Sequence, residues 1–408
     1  MLVDLWQMPQ DSRRNFLGTA ATAATALAGT QVLGANDRLR VGIIGAGDRG
    51  QQLLREAMAI SNVEFVAAAD VYTKRLEQAK ALKGDIKTYL DHRHLLEDQS
   101  IDAVIIATPQ HLHAEHFIAS LDAGKHVYQE KTMAFEVSHA KRMRDAYQRA
   151  GKRTVQIGHQ AMSSGLMDDA VSQLRRLPMG KITSIVMHMY RNSPHGKPQW
   201  TRPIPPDMTA ENVMWKSFLG EATPRDFDPQ RFVNWRFFRD YSGGNVYENM
   251  CHQIAFWYKP LNLSIPTKVT MTGGLYLWKD GREVPDTMSV TMEHPEDVLV
   301  NWSSGFGNDK LGAGEYVLGT DGTIHKSQQL RYTPQKVNQP AGVEIAGDSK
   351  TAPQAHMRNF FDCVRSGATP NCPFEIGFRT SIACRMAVES YRQGRPMVWD
   401  AAKEEIVT

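Results

Sequence analysis

Through its first third the chain alternates apolar runs of strand length with amphipathic stretches. The runs lie at residues 39–44, 63–69, 101–107, 125–128 and 153–158. A short, nearly continuous apolar run ending at a glycine or a polar turn reads as a buried parallel strand. Helical patterns such as 51–58 and 114–121 fall between the runs. Strands separated by helices predict a parallel, doubly wound sheet. After about residue 160 the alternation stops. A helical pattern at 166–177 precedes strand-like runs at 182–190, 267–278, 287–293 and 298–303. The runs lack helical patterns between them, which predicts an antiparallel sheet. Among them lies an aromatic stretch with Trp200, Trp215, Phe218, Phe227, Phe232, Trp235, Phe237, Phe238 and Tyr241. Its bulk reads as core or domain interface, with single rings available to stack on a sugar face. Helical spacing returns at 356–366 and 376–393.

The expected fold is therefore an α/β Rossmann domain over 36–160, followed by an α+β domain with an open, mostly antiparallel sheet over 161–350. Residues 351–408 read as a helical segment packing back on both. The first 35 residues stand apart. Arg13 and Arg14 precede Phe16-Leu17 and a weakly apolar Ala/Thr run that ends at small residues. That is the layout of an export signal of the twin-arginine type, with cleavage after Ala28 or Ala35, and it predicts a periplasmic or otherwise exported protein. The run is short and interrupted by Thr and Gly, so stable membrane insertion is not expected.

Composition narrows the function. The net charge of +3 comes from scattered Lys and Arg, which gives no basic stripe for nucleic acid. Four cysteines are too few for a disulfide framework and lack a zinc spacing, so buried free thiols are expected, with a Cys363–Cys372 pair as the alternative. His92 with His94, and His111 with His113, form HxH pairs that would share a face on a strand. No third ligand is evident, and no metal is expected.

The chemistry-bearing motif follows the first strand. Gly45, Ala46, Gly47, Asp48, Arg49 and Gly50 sit between a strand and a helix. The first glycine allows a tight turn, the second lets backbone approach a pyrophosphate, and the third lets the helix pack on the strand. The helix N-terminus offers free N–H groups to phosphate. Asp70 ends the second strand, 20 residues past Gly50, where a carboxylate accepts hydrogen bonds from the adenosine ribose. It would repel a 2′-phosphate, which favours NAD, while Lys74 and Arg75 leave NADP open. Thr108, Pro109, His111, His113, Glu130 and Lys131 fall at strand carboxyl ends and join the cofactor candidates.

These residues resemble the Gfo/Idh/MocA oxidoreductase family. The resemblance rests on the Gly45–Gly50 loop, Ala107-Thr108-Pro109-x-His111-Leu112-His113-Ala114, Gly124-Lys125-His126-Val127 and Glu130-Lys131. It continues through Asp240-Tyr241-Ser242-Gly243-Gly244 with His252, then Gly319-Thr320-Asp321-Gly322-Thr323 and the stretch starting at His356. It spans nearly all of the chain after residue 38. It implies hydride transfer at a secondary hydroxyl of a sugar or glycoside, with tightly bound NAD(P), and a homo-oligomer formed through the C-terminal sheet. It carries two positions of chemistry onto this chain. Lys131 matches the lysine of a Glu-Lys-Pro motif, and His252 matches the histidine of an Asp-x-x-x-His pair. Thr132 and Glu248 depart from that pattern, replacing its proline and aspartate. A near-neutral His suits removal of the hydroxyl proton, and a Lys can stabilise the developing negative charge. Glu248, four residues before His252, would share its helix face and could orient or tune the imidazole, or bind sugar hydroxyls. His159, Tyr190, Arg191, His195 and Arg236 are further pocket candidates by position.

Three functions remain open at this level. One is an NAD(P)-dependent oxidoreductase acting on a CH–OH group. The second is a redox-neutral NAD-dependent glycoside hydrolase, in which transient oxidation at C3 permits elimination, hydration and return of the hydride. The third is a cofactor-stabilised, non-catalytic binding protein. Export favours a retained cofactor, because free NAD is scarce outside the cytoplasm.

Overall fold

Six short strands with nearly all-apolar interiors form the first sheet. They are β1 (Leu39–Ile44), β2 (Val63–Ala69), β3 (Lys87–Tyr89), β4 (Ala103–Ile106), β5 (His126–Gln129) and β6 (Val155–Ile157). Their order is β3-β2-β1-β4-β5-β6, and every pairing is parallel. The computed structural model describes residues 38–193, 197–335, 343–345 and 354–408. The export-type segment with both cleavage positions, and His195, lie outside the described residues. Helices α1 (Asp48–Met58), α2 (Thr73–Lys83), α3 (His92–Leu96), α4 (His113–Asp122) and α5 (Val137–Ala150) link the strands. Burial of β4 on both faces explains its unbroken apolar run. The strand order reverses between β1 and β4, which opens a crevice at their carboxyl ends. β3 escapes the sequence pattern because it is three residues long and begins at an exposed lysine. His92 and His94 lie on helix α3, not on a strand, so they do not share a face.

The second half opens with α6 (Gly165–Leu174) and β7 (Ile182–Tyr190). Two short helices, α7 (Trp215–Leu219) and α8 (Pro229–Val233), precede α9 (Cys251–Leu261). The strands β8 (Lys268–Gly274), β9 (Thr287–His294), β10 (Val298–Gly305), β11 (Ala313–Gly319), β12 (Gly322–Lys326), β13 (Leu330–Pro334) and β14 (Val343–Ile345) follow. Then come α10 (Ala355–Ser366), α11 (Phe374–Gln393), β15 (Met397–Asp400) and β16 (Glu405–Val407). The ten strands form one sheet in the order β14-β13-β12-β11-β7-β10-β9-β8-β15-β16. Only β7 and β10 pair in parallel; the other pairings are antiparallel. The C-terminal segment is therefore not only helical, since its last residues extend this sheet.

Helices α9 and α11 cover one face of the sheet. Trp257 in α9 donates its indole N–H to Glu315 in β11 at 2.8 Å, and Ser390 in α11 accepts from the Met271 amide at 2.9 Å. Among the described residues, no helix covers the other face. Val186 and Leu299 are exposed there, and Tyr316 stacks between His188 and His325. A continuous core joins both halves, with Val104, Met133, Val246, Val290 and Ile382 in one cluster.

The aromatic stretch forms a cluster of its own. Phe218, Phe232, Trp235, Phe237, Phe238 and Tyr241 gather around Tyr72 from the nucleotide half. Residues 197–244 thus cross the mouth of the crevice, held by a Tyr72–Val213 β-bridge and by the ion pairs Lys74–Asp207 and Arg202–Asp48. All four cysteines are free and buried. Among the described residues, no helix is long and apolar enough to cross a membrane.

Candidate active site

The glycine turn is built by close packing. Gly45 has φ +92°, and a Cβ there would meet the Ala107 backbone at 2.8 Å. A Cβ on Gly50 would collide with the Gly45 carbonyl oxygen. Gly47 differs, because a Cβ there would meet only the Arg75 guanidinium, at 3.3 Å. The turn therefore offers its backbone to a cavity of about 1140 Å³, roughly the upper size of a small-molecule site. Asp70 fastens the turn to β2. Its Oδ2 accepts the Ala46 amide at 2.8 Å and its Oδ1 accepts the Tyr72 amide at 2.9 Å. Burial pushes the Asp70 carboxyl up, against the pull of Arg75 and the two amides. A carboxylate has about four lone-pair sites, so acceptor capacity remains for ribose hydroxyls. Open backbone at Gly47, a helix N-terminus and this acceptor together fit a dinucleotide, with α1 facing the pyrophosphate.

At the ends of the neighbouring strands, Thr108, Pro109, Glu130 and Lys131 line the same cavity, with Asp48 and Arg49 beside the glycines. Arg49 is committed to Glu130, whose Oε1 accepts from Nε and Nη2 at 2.9 and 2.7 Å. Two assignments need correction. His111 and His113 do not line the cavity. His111 bonds the Phe218 carbonyl at 2.7 Å and so ties down the crossing segment. Burial holds its pKa down at about 3. His113 lies between the Thr108 and Thr132 carbonyls, at 2.9 and 2.8 Å. Both serve the frame of the turn. His111 packs on Phe218 and Tyr241 of the crossing segment, and both histidines stand on the first helical turns after β4.

Lys131 and Glu248 meet across 117 residues of sequence. The ammonium donates to Glu248 Oε2 at 2.8 Å and to the Glu248 carbonyl at 3.2 Å, which among the described residues leaves one N–H of its three free. Arg236 lies 3.2 Å from Glu248 Oε1 and rests on the Trp235 ring at 4.2 Å. Gln110 donates to the same oxygen at 2.8 Å. Burial opposes ionisation of Glu248, but Arg236 and Lys131 hold its carboxyl down at about 2. Burial likewise opposes the Lys131 charge, yet Glu248 keeps that pKa above the usual lysine value. Thr132, in place of the motif's proline, follows a cis peptide and donates its hydroxyl to the Tyr247 carbonyl at 2.8 Å.

His252 does not sit beside Glu248 as a helical i,i+4 pair would. Residues Val246–Met250 form a π-helical turn that runs into α9, and Glu248 is taken up by Lys131, Gln110 and Arg236. His252 pairs instead with His159, Nδ1 to Nδ1 at 3.3 Å. Burial first, then the charge of Lys131, holds His159 down at about 3 and His252 well below the ordinary imidazole range. At neutral pH both are neutral, so one Nδ1 donates to the other. Tyr190 also needs correction. Alternation along β7 buries Ile185 and Met187 against the helices, so His188 and Tyr190 face the open side of the sheet. Arg191, next in line, turns inward and donates to Asn249 Oδ1 at 2.9 Å. Gln110 and Asn249 escaped the sequence reading. Gln110 is the variable position of the Thr-Pro-x-His stretch, and its place at the end of β4 was the available signal. Among the described residues, no three His, Cys, Asp or Glu side chains gather as a metal site.

Comparison with known proteins agrees with this geometry. Residues 39–159 match the Gfo/Idh/MocA oxidoreductase family model, described as an NAD-binding Rossmann fold. The nucleotide half is thus an NAD-binding Rossmann domain, similar over residues 39–159 to that of the family. Inositol 2-dehydrogenase of Salmonella typhimurium is 37% identical over 122 residues, covering 29% of this chain and 36% of that protein. The 1-carboxy-3-chloro-3,4-dihydroxycyclo hexa-1,5-diene dehydrogenase of Comamonas testosteroni is 33% identical over 139 residues, 34% of each chain. The chain thus spans about a third of the length of the curated relatives it matches. The whole fold has structural counterparts. Levoglucosan dehydrogenase in complex with NADH and L-sorbose superposes with a TM-score of 0.67 at 17% identity, covering 88% of this chain and 98% of that one. An NAD-binding protein from Listeria innocua gives a TM-score of 0.65 at 20% identity, covering 88% and 97%.

Proposed function

We propose that this protein is an NAD-dependent oxidoreductase acting at a secondary hydroxyl of a sugar, polyol or glycoside. The observation that carries this is Lys131, charged and with one N–H free, in the cavity that Gly45 and Gly47 also line. When bound there, the nicotinamide supplies the hydride acceptor. Lys131 holds the hydroxyl oxygen and stabilises the negative charge that develops on it. Glu248 keeps Lys131 protonated. His252 is the base that the family resemblance assigns to the hydroxyl proton; it is neutral and paired with His159, and neither ring is among the residues that line the cavity. The inositol and levoglucosan named for the relatives fit this chemistry, since both present secondary hydroxyls on a ring.

Purified protein supplied with NAD should reduce it when given the right member of a panel that includes myo-inositol, D-glucose and levoglucosan. Lys131→Ala should lower kcat by about a hundredfold or more while bound NAD stays constant. Full activity in that variant would refute the assignment.

A second reading has its own support. Arg202, on the crossing segment, pairs at 3.1 Å with Asp48 of the glycine turn, and both line the cavity, so the pair would bridge the segment to the turn beside a bound cofactor. A retained cofactor suits a redox-neutral cycle, as in an NAD-dependent glycosidase. Release of phenol from aryl glycosides, without added cofactor and without net NADH, would mark that activity.

A further inference from the structure

We propose that Trp200 is the platform on which the substrate ring stacks, and so a determinant of substrate specificity. The inference rests on the sugar-active reading above. Trp200 lines the cavity together with Lys131, Glu248, Arg236 and Trp235. It is partly exposed there. Its backbone has φ +67°, a conformation that a bulky residue adopts only when its surroundings over-determine it.

The surroundings do so on both sides. Before it, Arg282 donates to the Gln199 carbonyl at 3.2 Å. After it, Asn234 clamps Arg202 twice, accepting its amide at 2.7 Å and donating to its carbonyl at 3.1 Å. The indole is braced from behind as well. It meets Phe306 edge-to-face at 5.4 Å, and Phe306 stacks on Trp278. Arg282, its side chain 1% exposed and paired with Asp280, lies between the rings of Trp278 and Phe237 at 4.2 and 4.1 Å.

This frame does more than pack a loop. A hydrophobic plug needs burial, not a strained backbone with clamps on either side. An edge-to-face contact occupies at most one face of the indole. Among the described residues no other aromatic ring pairs with it and no cation lies over it; it also packs on the edge of the aromatic cluster around Tyr72, and the part of the indole left exposed lines the cavity. The C–H-rich face of a pyranose or cyclitol ring is the chemical match for a flat, electron-rich surface. Lys131 and Glu248 would then meet the hydroxyls at the ring's edge. Stacking selects ring substrates over open-chain polyols, because only a ring presents a continuous apolar face.

The test uses the NAD-loaded enzyme, with wild type, Trp200→Ala and Trp200→Phe. Binding is measured by calorimetry with myo-inositol, D-glucose and levoglucosan, and turnover with whichever of them is oxidised. Trp200→Ala should raise KM and the dissociation constant about five- to tenfold, with a smaller change in kcat and unchanged NAD content. Trp200→Phe should restore most of the affinity. An unchanged dissociation constant in Trp200→Ala would overturn the proposal, and so would loss of NAD, which would make Trp200 a prop for the cofactor loop. Failure of the functional reading looks different. There the wild type itself neither binds nor oxidises any of the three probes, and the stacking proposal falls with it.

Discussion

At the scale of residues, the site depends on one buried carboxylate. Glu248 takes bonds from Lys131 and Gln110 and an ion pair from Arg236. Burial alone would strip the charge from Lys131, and Glu248 overcomes it. In Glu248→Gln the burial penalty remains and the compensating charge is gone, so the Lys131 pKa falls. If the protonated amine holds the substrate oxygen, the alkaline limb of the kcat profile moves to lower pH. A pH–rate profile of Glu248→Gln against wild type checks this, and an unmoved alkaline limb would contradict it. The identity of Lys131 and Glu248 as candidates was legible from motif and spacing. Their contact was not, because they lie 117 residues apart and no local pattern records which distant group a buried charge meets.

At the scale of elements, the glycine turn and the crossing segment do different work. The turn reads out of sequence because its demands are local: positive φ at Gly45 and no room for a side chain at Gly50. The crossing segment shows only an aromatic-rich composition, and its path over the crevice follows from contacts with Tyr72, Asp48 and Lys74. The Arg202–Asp48 pair is exposed, with half or more of each side chain in solvent, so it contributes modestly. Arg202→Ala should speed NAD release by up to about fivefold. Release followed by nucleotide fluorescence measures it, and an unchanged rate would mean that the segment does not latch the cofactor. The π-helical turn before α9 carries Glu248, four residues ahead of His252. So short a turn has no distinct periodicity signature, and the partners of its neighbours are set by distant residues, Lys131 and Gln110 for Glu248 and His159 for His252.

At the scale of the whole molecule, buried histidines make the protein acid-sensitive. Burial lowers His111 and His159 to about 3 and His294 and His356 to about 4. Unfolded, each titrates near about 6.5. Between those values the unfolded chain binds more protons than the native one, so stability falls as the pH is lowered. It should be full above about pH 6.5 and decline steadily toward about pH 4. Tm measured across that range tests this, and a flat profile would contradict it. The open sheet face, with exposed Val186 and Leu299, is where we propose that a second copy docks. Light scattering should then give a multiple of the monomer mass, 45.8 kDa for the full 408 residues and less once the export segment is removed, and charged substitutions at Val186 and Leu299 should return it to monomer. A wild type that is already monomeric would remove the proposal.

What the sequence determined by itself is what short-range physics dictates. Apolar runs of strand length alternating with helices set the parallel sheet, and the glycine spacing set the turn that accepts a dinucleotide. The switch to strand runs after residue 160 set the second, mostly antiparallel sheet. Only tertiary structure decided which charged groups meet. It turned His252 toward His159 instead of Glu248, placed Tyr190 on the open face and Arg191 inward, and drew the aromatic stretch across the crevice. The reason is range. Periodicity and turn chemistry act within a few residues, whereas the desolvation and pairing that give Lys131 and Glu248 their charges arise only when distant segments close over them.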